Sequence, residues 1–172
     1  MDKPWNGDPS GWVTVLKGAR AAGIKTNLEM CSLPAPRLLE VVAPCLGHLD
    51  YLIINDFEVA ALSQRPIRHG EDVDLRDCLA NAKDVFDRSS LELLVVHFPR
   101  GAIAMQRGAD PLVIPSVSVP KEAIAGSNGA GDAFASGILY GIHQGWRLRD
   151  ALQLAHSAAA ASMRHIGTTD SI

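Results

Sequence analysis

The stretch Gly126-Ser127-Asn128-Gly129-Ala130-Gly131-Asp132-Ala133-Phe134 holds the residues of this chain best suited to chemistry. Three small residues, Gly129, Ala130 and Gly131, come directly before an acid, Asp132. Behind them Ala133, Phe134, Ile138, Leu139 and Ile142 recur at helical spacing. Small residues at a helix start let backbone N–H groups approach an anion closely, and the aligned peptide dipoles favour negative charge there. Asp132 falls in the first turn of this helix. A carboxylate at that place either complements the helix dipole or acts as a general base toward whatever the N–H groups hold. A base beside a phosphate cradle is the minimum equipment for phosphoryl transfer to a hydroxyl.

Other elements must position this turn. Residues 49–54 form a near-continuous apolar run, as expected of a strand buried on both faces. The run delivers Asn55, Asp56 and Glu58 at its C-terminal end, with Asp56 as the expected cap of a helix continuing through Leu62. In open α/β sheets, ligands bind outside the carboxyl ends of the strands. Asn55 and Glu58, three apart, suit such a site, although a glutamate in a first turn also stabilises its helix unaided. Upstream, Asp8-Pro9 reads as N-cap and first helical residue of a helix with Trp12, Leu16 and Ala19 on its apolar face, stopped by Gly23. Residues 24–29 read as a strand and 37–42 as a short helix broken by Pro44 and Gly47. Downstream come a polar loop at 64–70, a helix at 74–88 capped by Asp74, and strands at 91–96, 102–107 and 112–114. Pro99-Arg100-Gly101 turns the chain between the first two of these strands, and a last helix covers 148–164. Its alanine run, 158–161, predicts close packing against another helix or a ligand. Helices alternating with strands are the pattern of an α/β protein.

Bulk properties narrow the class. A chain of 172 residues is one domain by length, and a hydrophobic content of 47% excludes a disordered segment. A net charge of −3 without any Lys/Arg-rich run argues against nucleic acid as the main partner. Cys31, Cys45 and Cys78 are odd in number and form no Cys-x-x-Cys, which suggests reduced thiols in a cytoplasmic protein. No apolar run has the length of a membrane span, and the N-terminus has no signal-peptide core. The histidines and cysteines show no metal-ligand spacing. No Gly-x-Gly-x-x-Gly follows the first strand, which argues against a dinucleotide-binding protein.

The string from Asn128 to Phe134, followed by a helix of small residues, resembles the signature near the C-terminus of ribokinase-like (PfkB) carbohydrate kinases. The resemblance runs over most of the chain and covers about the C-terminal half of a family member. It implies a three-layer α/β/α ribokinase-like sheet, of which residues 1–172 are the nucleotide-binding and catalytic-motif portion, as a single domain. The sugar-binding half and its small β lid are expected to be absent. The resemblance also implies ATP, Mg²⁺ and a small sugar or sugar-like acceptor. Asp132 then takes the proton from the acceptor hydroxyl, and the N–H groups around Gly129, Ala130 and Gly131 form the anion hole. Asn55 and Glu58 match the family's Asn-x-x-Glu, which organises metal-bound water and the phosphates. Asn128 matches the asparagine of the signature, and Gly167 a glycine after the last helix.

Some positions depart from the family pattern. Of a threonine- and glycine-containing hairpin that contacts ATP only Gly101 survives, with His97 and Pro99 at the other two positions. Proline has no N–H to donate. His97 and Arg100 are candidates to touch phosphate instead, although a solvated turn also accounts for Arg100. His156 takes the place of an asparagine beside the adenine, and a surface or core histidine is the plainer reading. Gly126 replaces an acid that helps place a monovalent cation in some members, so no such cation is expected. Without the half that orients the acceptor, positioning is lost. Weak or no sugar-kinase activity is therefore expected of this chain alone, together with an open sheet edge that invites dimers. Two further readings stay open: a ribokinase-fold kinase of a nucleoside or vitamin precursor, and a non-catalytic nucleotide-binding pseudo-kinase.

Overall fold

The computed structural model describes residues 1–31, 33–68 and 73–167. In chain order the elements are α1 (Gly11–Ala21), β1 (Asn27–Leu28), α2 (Ala35–Val42), β2 (Tyr51–Asn55), α3 (Asp56–Ser63), α4 (Leu75–Asp87), β3 (Leu93–Phe98), β4 (Gly101–Gln106), β5 (Leu112–Pro115), α5 (Ala130–His143) and α6 (Leu148–Ser162). The strands form one five-stranded sheet in the order β1-β2-β3-β4-β5. β1 and β2 run parallel, with Asn27 opposite Tyr51 and Leu28 opposite Leu52. β3 and β4 are joined by Pro99 and Arg100 alone, and β4 and β5 by residues 107–111, so both neighbouring pairs are antiparallel hairpins. The α/β class expected from the sequence is the one observed. No helix among the described residues is long and apolar enough to cross a membrane.

Two compact units divide the chain: Met1–Val96 with Ile103–Pro111, and His97–Ala102 with the residues from Leu112 on. In the first unit the apolar runs are buried as their composition demands. Leu52 and Ile54 of β2, Val59 and Leu62 of α3, Val85 of α4, and Leu94 and Val95 of β3 are all at most 1% exposed. Cys45 and Cys78 lie in this interior and Cys31 is exposed, all as free thiols. Burial pushes the Cys78 thiol up to about 12. The α4 helix begins as expected, with the Asp74 carboxylate accepting from the N–H groups of Arg76 and Asp77 at 3.0 and 3.2 Å. The polar loop expected at 64–70 lies partly outside the described residues.

Several expected boundaries move, each for a local reason. Ser10, not Asp8, caps α1, accepting from the Val13 N–H at 3.3 Å. Asp8 is held by the Thr14 hydroxyl at 2.8 Å and by Lys17, and its backbone pairs with that of Trp5. That shift turns Gly11, Val13 and Leu16 inward, and leaves Trp12 37% exposed. The strand expected at 24–29 shrinks to Asn27–Leu28 because Thr26 is used otherwise. Its N–H and hydroxyl donate to the buried Asp50 carboxylate at 2.9 and 3.0 Å. Burial pushes the Asp50 carboxyl up, but the Thr26 bonds and the Lys25 ammonium together hold it below the usual carboxylate range.

Arg107 closes the far end of the first unit. It donates to the carbonyls of Leu91, Phe86 and Ser89 at 2.8, 2.8 and 2.7 Å, and its guanidinium lies 4.1 Å from the Phe86 ring centre. One side chain thus ties the end of α4 to the approach to β3. Arg107→Ala is expected to cost about 2 kcal/mol, since charged-group hydrogen bonds and a cation–π contact go together. A urea midpoint unchanged from the parent would contradict this.

In the second unit, α5 and α6 touch backbone to backbone. A Cβ on Gly137 would lie 2.6 Å from the Ala155 Cα, and a Cβ on Gly141 only 2.4 Å from the Ala151 Cβ. The tight contact therefore falls at Ala151 and Ala155, one turn apart. The alanine run was expected to provide it, but Ala158, Ala159 and Ala160 are only half-buried and Ala161 is exposed. The run sits past the point where the two helices are closest.

Candidate active site

The Gly-rich turn belongs to the second unit. Gly129 is the N-cap of α5 at φ 79° and ψ −2°, and no side chain caps the helix. A Cβ in that left-handed conformation costs roughly 1–2 kcal/mol, which explains the glycine. The Ala130 N–H reaches the Ser127 carbonyl at 3.3 Å, and the Ala133 N–H reaches the Gly129 carbonyl at 2.9 Å. No backbone carbonyl among the described residues takes the N–H of Gly131 or Asp132. These are the orphan donors of a helix start, and they face an anion-favouring dipole. The loop before the turn is anchored, because the N–H groups of Ala125 and Gly126 both donate to the Met163 carbonyl, at 2.9 and 3.3 Å.

Asp132 is the third residue of α5 and is exposed. Its carboxylate has no hydrogen-bond or ion-pair partner among the described residues, while its carbonyl accepts from the Ser136 hydroxyl at 2.8 Å. Asn128 is also exposed, just before the turn. His97 lies within β3, not in the hairpin turn, and stands beside the Gly-rich turn: its ring atoms are 3.7 and 3.8 Å from where a Gly131 Cβ would be. At that distance the ring would be in ordinary van der Waals contact with a Cβ at Gly131, so it flanks the turn without closing it.

Phe134 carries this arrangement inward. Its ring centre is 5.0 Å from that of His97, tilted by 39°, and 5.0 Å from that of His156, edge-on at 71°. The apolar spacing of the sequence marked Phe134 only as core. Its place two residues after Asp132, between two histidines, makes it the support of the turn. His156 differs from the expectation of a residue beside a nucleotide base. It is 6% exposed, packs on Phe134 and bonds the backbone of Ile114, and its Nε2 is buried without a partner among the described residues. A ring larger and less polar than an amide is absorbed by the core.

Burial pushes the His156 imidazole below its usual range, against the pull of the Ile114 bond. The folded chain therefore refuses a proton that the unfolded chain accepts below about pH 6.5. Stability is flat above that pH and falls as pH drops from there toward the lower folded value. Melting curves between pH 7.5 and 5 are expected to show this loss, and His156→Leu is expected to remove it. A variant with the parent's acid slope would assign the loss elsewhere.

Arg100 is exposed in the turn after β3, and Gly101 opens β4. A Cβ on Gly101 would lie 2.7 Å from the Ile114 carbonyl oxygen. Close approach of β4 and β5 alone therefore requires this glycine.

Asn55 and Glu58 belong to the first unit. Asn55, not Asp56, caps α3: its Oδ1 accepts from the Glu58 N–H at 2.9 Å, and the Glu58 Oε2 accepts from the Asn55 N–H at 2.8 Å. This is a capping box, and Asn-x-x-Glu at a strand end is its signature in the sequence. Asp56 is instead the first helical residue, 3% exposed. Burial pushes the Glu58 carboxyl up, with the nearby Asp56 adding to the effect and the Asn55 N–H opposing it. The other Glu58 oxygen and the Asn55 amide nitrogen make no hydrogen bond with the described residues. The structure thus groups His97, Gly129, Ala130, Gly131 and Asp132 in one unit and Asn55 with Glu58 in the other.

Comparison with known proteins places this geometry. Adenosine kinase 1 of Arabidopsis thaliana is 28% identical over 161 residues, which are 86% of this chain and 44% of that protein. Adenosine kinase of Schizophyllum commune is 27% identical over 166 residues, 91% of this chain and 48% of that protein. The chain thus spans somewhat under half the length of these relatives. Among solved structures, Arabidopsis thaliana ribokinase complexed with ribose and ATP superposes with a TM-score of 0.76 at 17% identity, covering 94% of this chain and 48% of that one. Adenosine kinase of Schistosoma mansoni in complex with 2-fluoroadenosine gives 0.74 at 18%, covering 92% and 47%. These likenesses establish the ribokinase-like fold. The description "pfkB family carbohydrate kinase" matches residues 7–172, and the chain belongs to that family.

Proposed function

We propose that the protein takes part in ATP-dependent phosphorylation of a hydroxyl on a sugar or nucleoside. The observation that carries this reading is the start of α5, where the N–H groups of Gly131 and Asp132 and an exposed carboxylate, all without a partner among the described residues, sit on one turn. Asp132 accepts the proton of the attacking hydroxyl. The N–H groups and the helix dipole stabilise charge on the transferring phosphoryl group. His97 flanks the turn, and Arg100 and Asn128 are the further candidates to touch phosphate. His156 acts from behind Phe134, as support. Relatives named for adenosine, and a fold relative bound to ribose, favour a ribosyl hydroxyl as acceptor.

Mg²⁺ fits the residues present. Mg²⁺ is usually held by one or two protein groups together with water and substrate phosphates. Asn55 and Glu58 would hold it through water, with the carboxylate oxygen that the capping box leaves open. When bound, the ion neutralises phosphate charge. The free thiols support a cytoplasmic location.

A second reading, nucleotide binding without transfer, draws on Pro99, which removes a backbone donor from the β3–β4 turn. Calorimetric titration with Mg-ATP, followed by ADP release with a panel including ribose and adenosine, separates the two. Acceptor-dependent ADP release supports the kinase. Binding without release for every acceptor supports the second reading.

A further inference from the structure

We propose that Asn128-Gly129 is a self-modification site, where the Gly129 nitrogen closes on the Asn128 side chain and leaves aspartate or isoaspartate in the turn before α5. Asparagine followed by glycine suits this ring closure, because no Cβ on the second residue obstructs the attack and its backbone rotates freely. The Gly129 nitrogen gives up its proton and attacks the Asn128 Cγ. A new C–N bond forms and the bond to the side-chain nitrogen breaks. That nitrogen takes up the proton and leaves as ammonia, and a cyclic imide remains. Water then opens the imide at one or other of its carbonyls. One opening restores the chain with aspartate, and the other leaves it running through the side chain as isoaspartate. Water is the only co-reactant, and nothing is oxidised or reduced.

The chain holds two such pairs, Asn6-Gly7 and Asn128-Gly129, and the fold treats them differently. Asn128 is exposed, and its amide makes no hydrogen bond with the described residues. The Gly129 N–H has no backbone acceptor among them either. Gly129, at φ 79° and ψ −2°, is the third residue of a type II turn closed only by the 3.3 Å bond from the Ala130 N–H to the Ser127 carbonyl. The peptide that must rotate is therefore weakly restrained. Negative charge on the attacking nitrogen develops at the positive end of α5, where no side chain caps the helix. Asn6 and Gly7 instead sit at φ 50° and 83° in a hairpin turn. Reciprocal Trp5–Asp8 bonds at 3.1 and 2.9 Å clamp that turn, and the Trp5 carbonyl also accepts from the Thr14 hydroxyl at 3.2 Å. The other asparagines precede Leu28, Asp56 and Ala82, each with a Cβ. Asn55 is also engaged in its capping box, and Asn81 donates to the Arg65 carbonyl at 2.9 Å. Either product adds a negative charge to the turn that carries the N–H groups of Gly131 and Asp132. On the proposed function, on which this consequence alone rests, the new carboxylate competes with phosphate for those donors.

The test is to incubate the full chain at mildly alkaline pH and follow its peptides by mass spectrometry, with isoaspartate read by enzymatic methylation. Asn128 is expected to gain the mass of an acid for an amide and to become the first isoaspartyl site. Asn6 is expected to lag, with Asn27, Asn55 and Asn81 intact. In the urea-unfolded chain Asn6 and Asn128 are expected to convert alike, since only the fold separates them. Asn128→Gln is expected to abolish the isoaspartate signal of its peptide, because glutamine would have to close a larger ring. Mg-ATP affinity of the parent is expected to fall in step with conversion. The mass and methylation readouts decide the proposal whether or not the fresh chain binds Mg-ATP, so it and the kinase reading fail separately. An Asn128 that stays intact while Asn6 converts, or the same ranking of the two in folded and unfolded chains, would overturn it.

Discussion

On the proposed function, Asp132→Asn is expected to lower phosphoryl-transfer turnover about 10²–10⁴-fold, the range supplied by a positioned general base, while the fold and any Mg-ATP binding persist. The substitution keeps the size of the side chain and removes only its ability to take a proton. Nothing in the interior depends on it, because the carboxylate is exposed and makes no hydrogen bond or ion pair with the described residues. The structural loss is confined to a charge–dipole contribution of roughly 0.3–1 kcal/mol. ADP release with the best acceptor, measured beside the melting temperature, checks both parts. A variant that turns over like the parent would place the base at another residue. One that fails to fold would show that Asp132 holds the helix start together.

Gly137→Val is the substitution expected to damage the second unit most. The added Cβ alone would sit 2.6 Å from the Ala155 Cα and 2.8 Å from its nitrogen, both backbone atoms of α6. No rotamer relieves a backbone clash, so the two helices must separate. The cost of such overpacking is typically 1–3 kcal/mol, and more where backbone must move. Gly137 lies on the same helix as Asp132, so separation also shifts the Gly-rich turn. Thermal denaturation with activity measured in parallel is expected to show both falling. A variant within 1 °C of the parent's melting temperature would contradict the close contact.

Much of the architecture was legible because burial leaves a direct trace in composition. The apolar runs at 49–54 and 91–96 became β2 and β3, with their centres fully buried. Asp74 and the small residues before Asp132 marked helix starts that are observed. Choices between equivalent neighbours were harder to read. Asp8 and Ser10 both suit a cap, and the partners of Asp8, Thr14 and Lys17, decide for Ser10. Asn55 and Asp56 pose the same choice, decided by the reciprocal bonds with Glu58. The division into two units was not legible, because β3 and β4 run unbroken from one into the other. Nor was the depth of His156, which depends on Phe134 and Ile114, both far from it in sequence.

Gly101 bears on how such chains are surveyed across genomes. It stands where the resemblance put the one surviving glycine of a nucleotide-contacting hairpin. The carbonyl of Ile114, 2.7 Å from its missing Cβ, demands a glycine there with or without a nucleotide. Selection for a stable sheet alone would keep this position through the decay of an enzyme into a bystander. A search that counts it as a sign of activity would therefore score living and retired copies alike, whereas the exposed carboxylate of Asp132, on which no packing depends, would be among the first residues to drift.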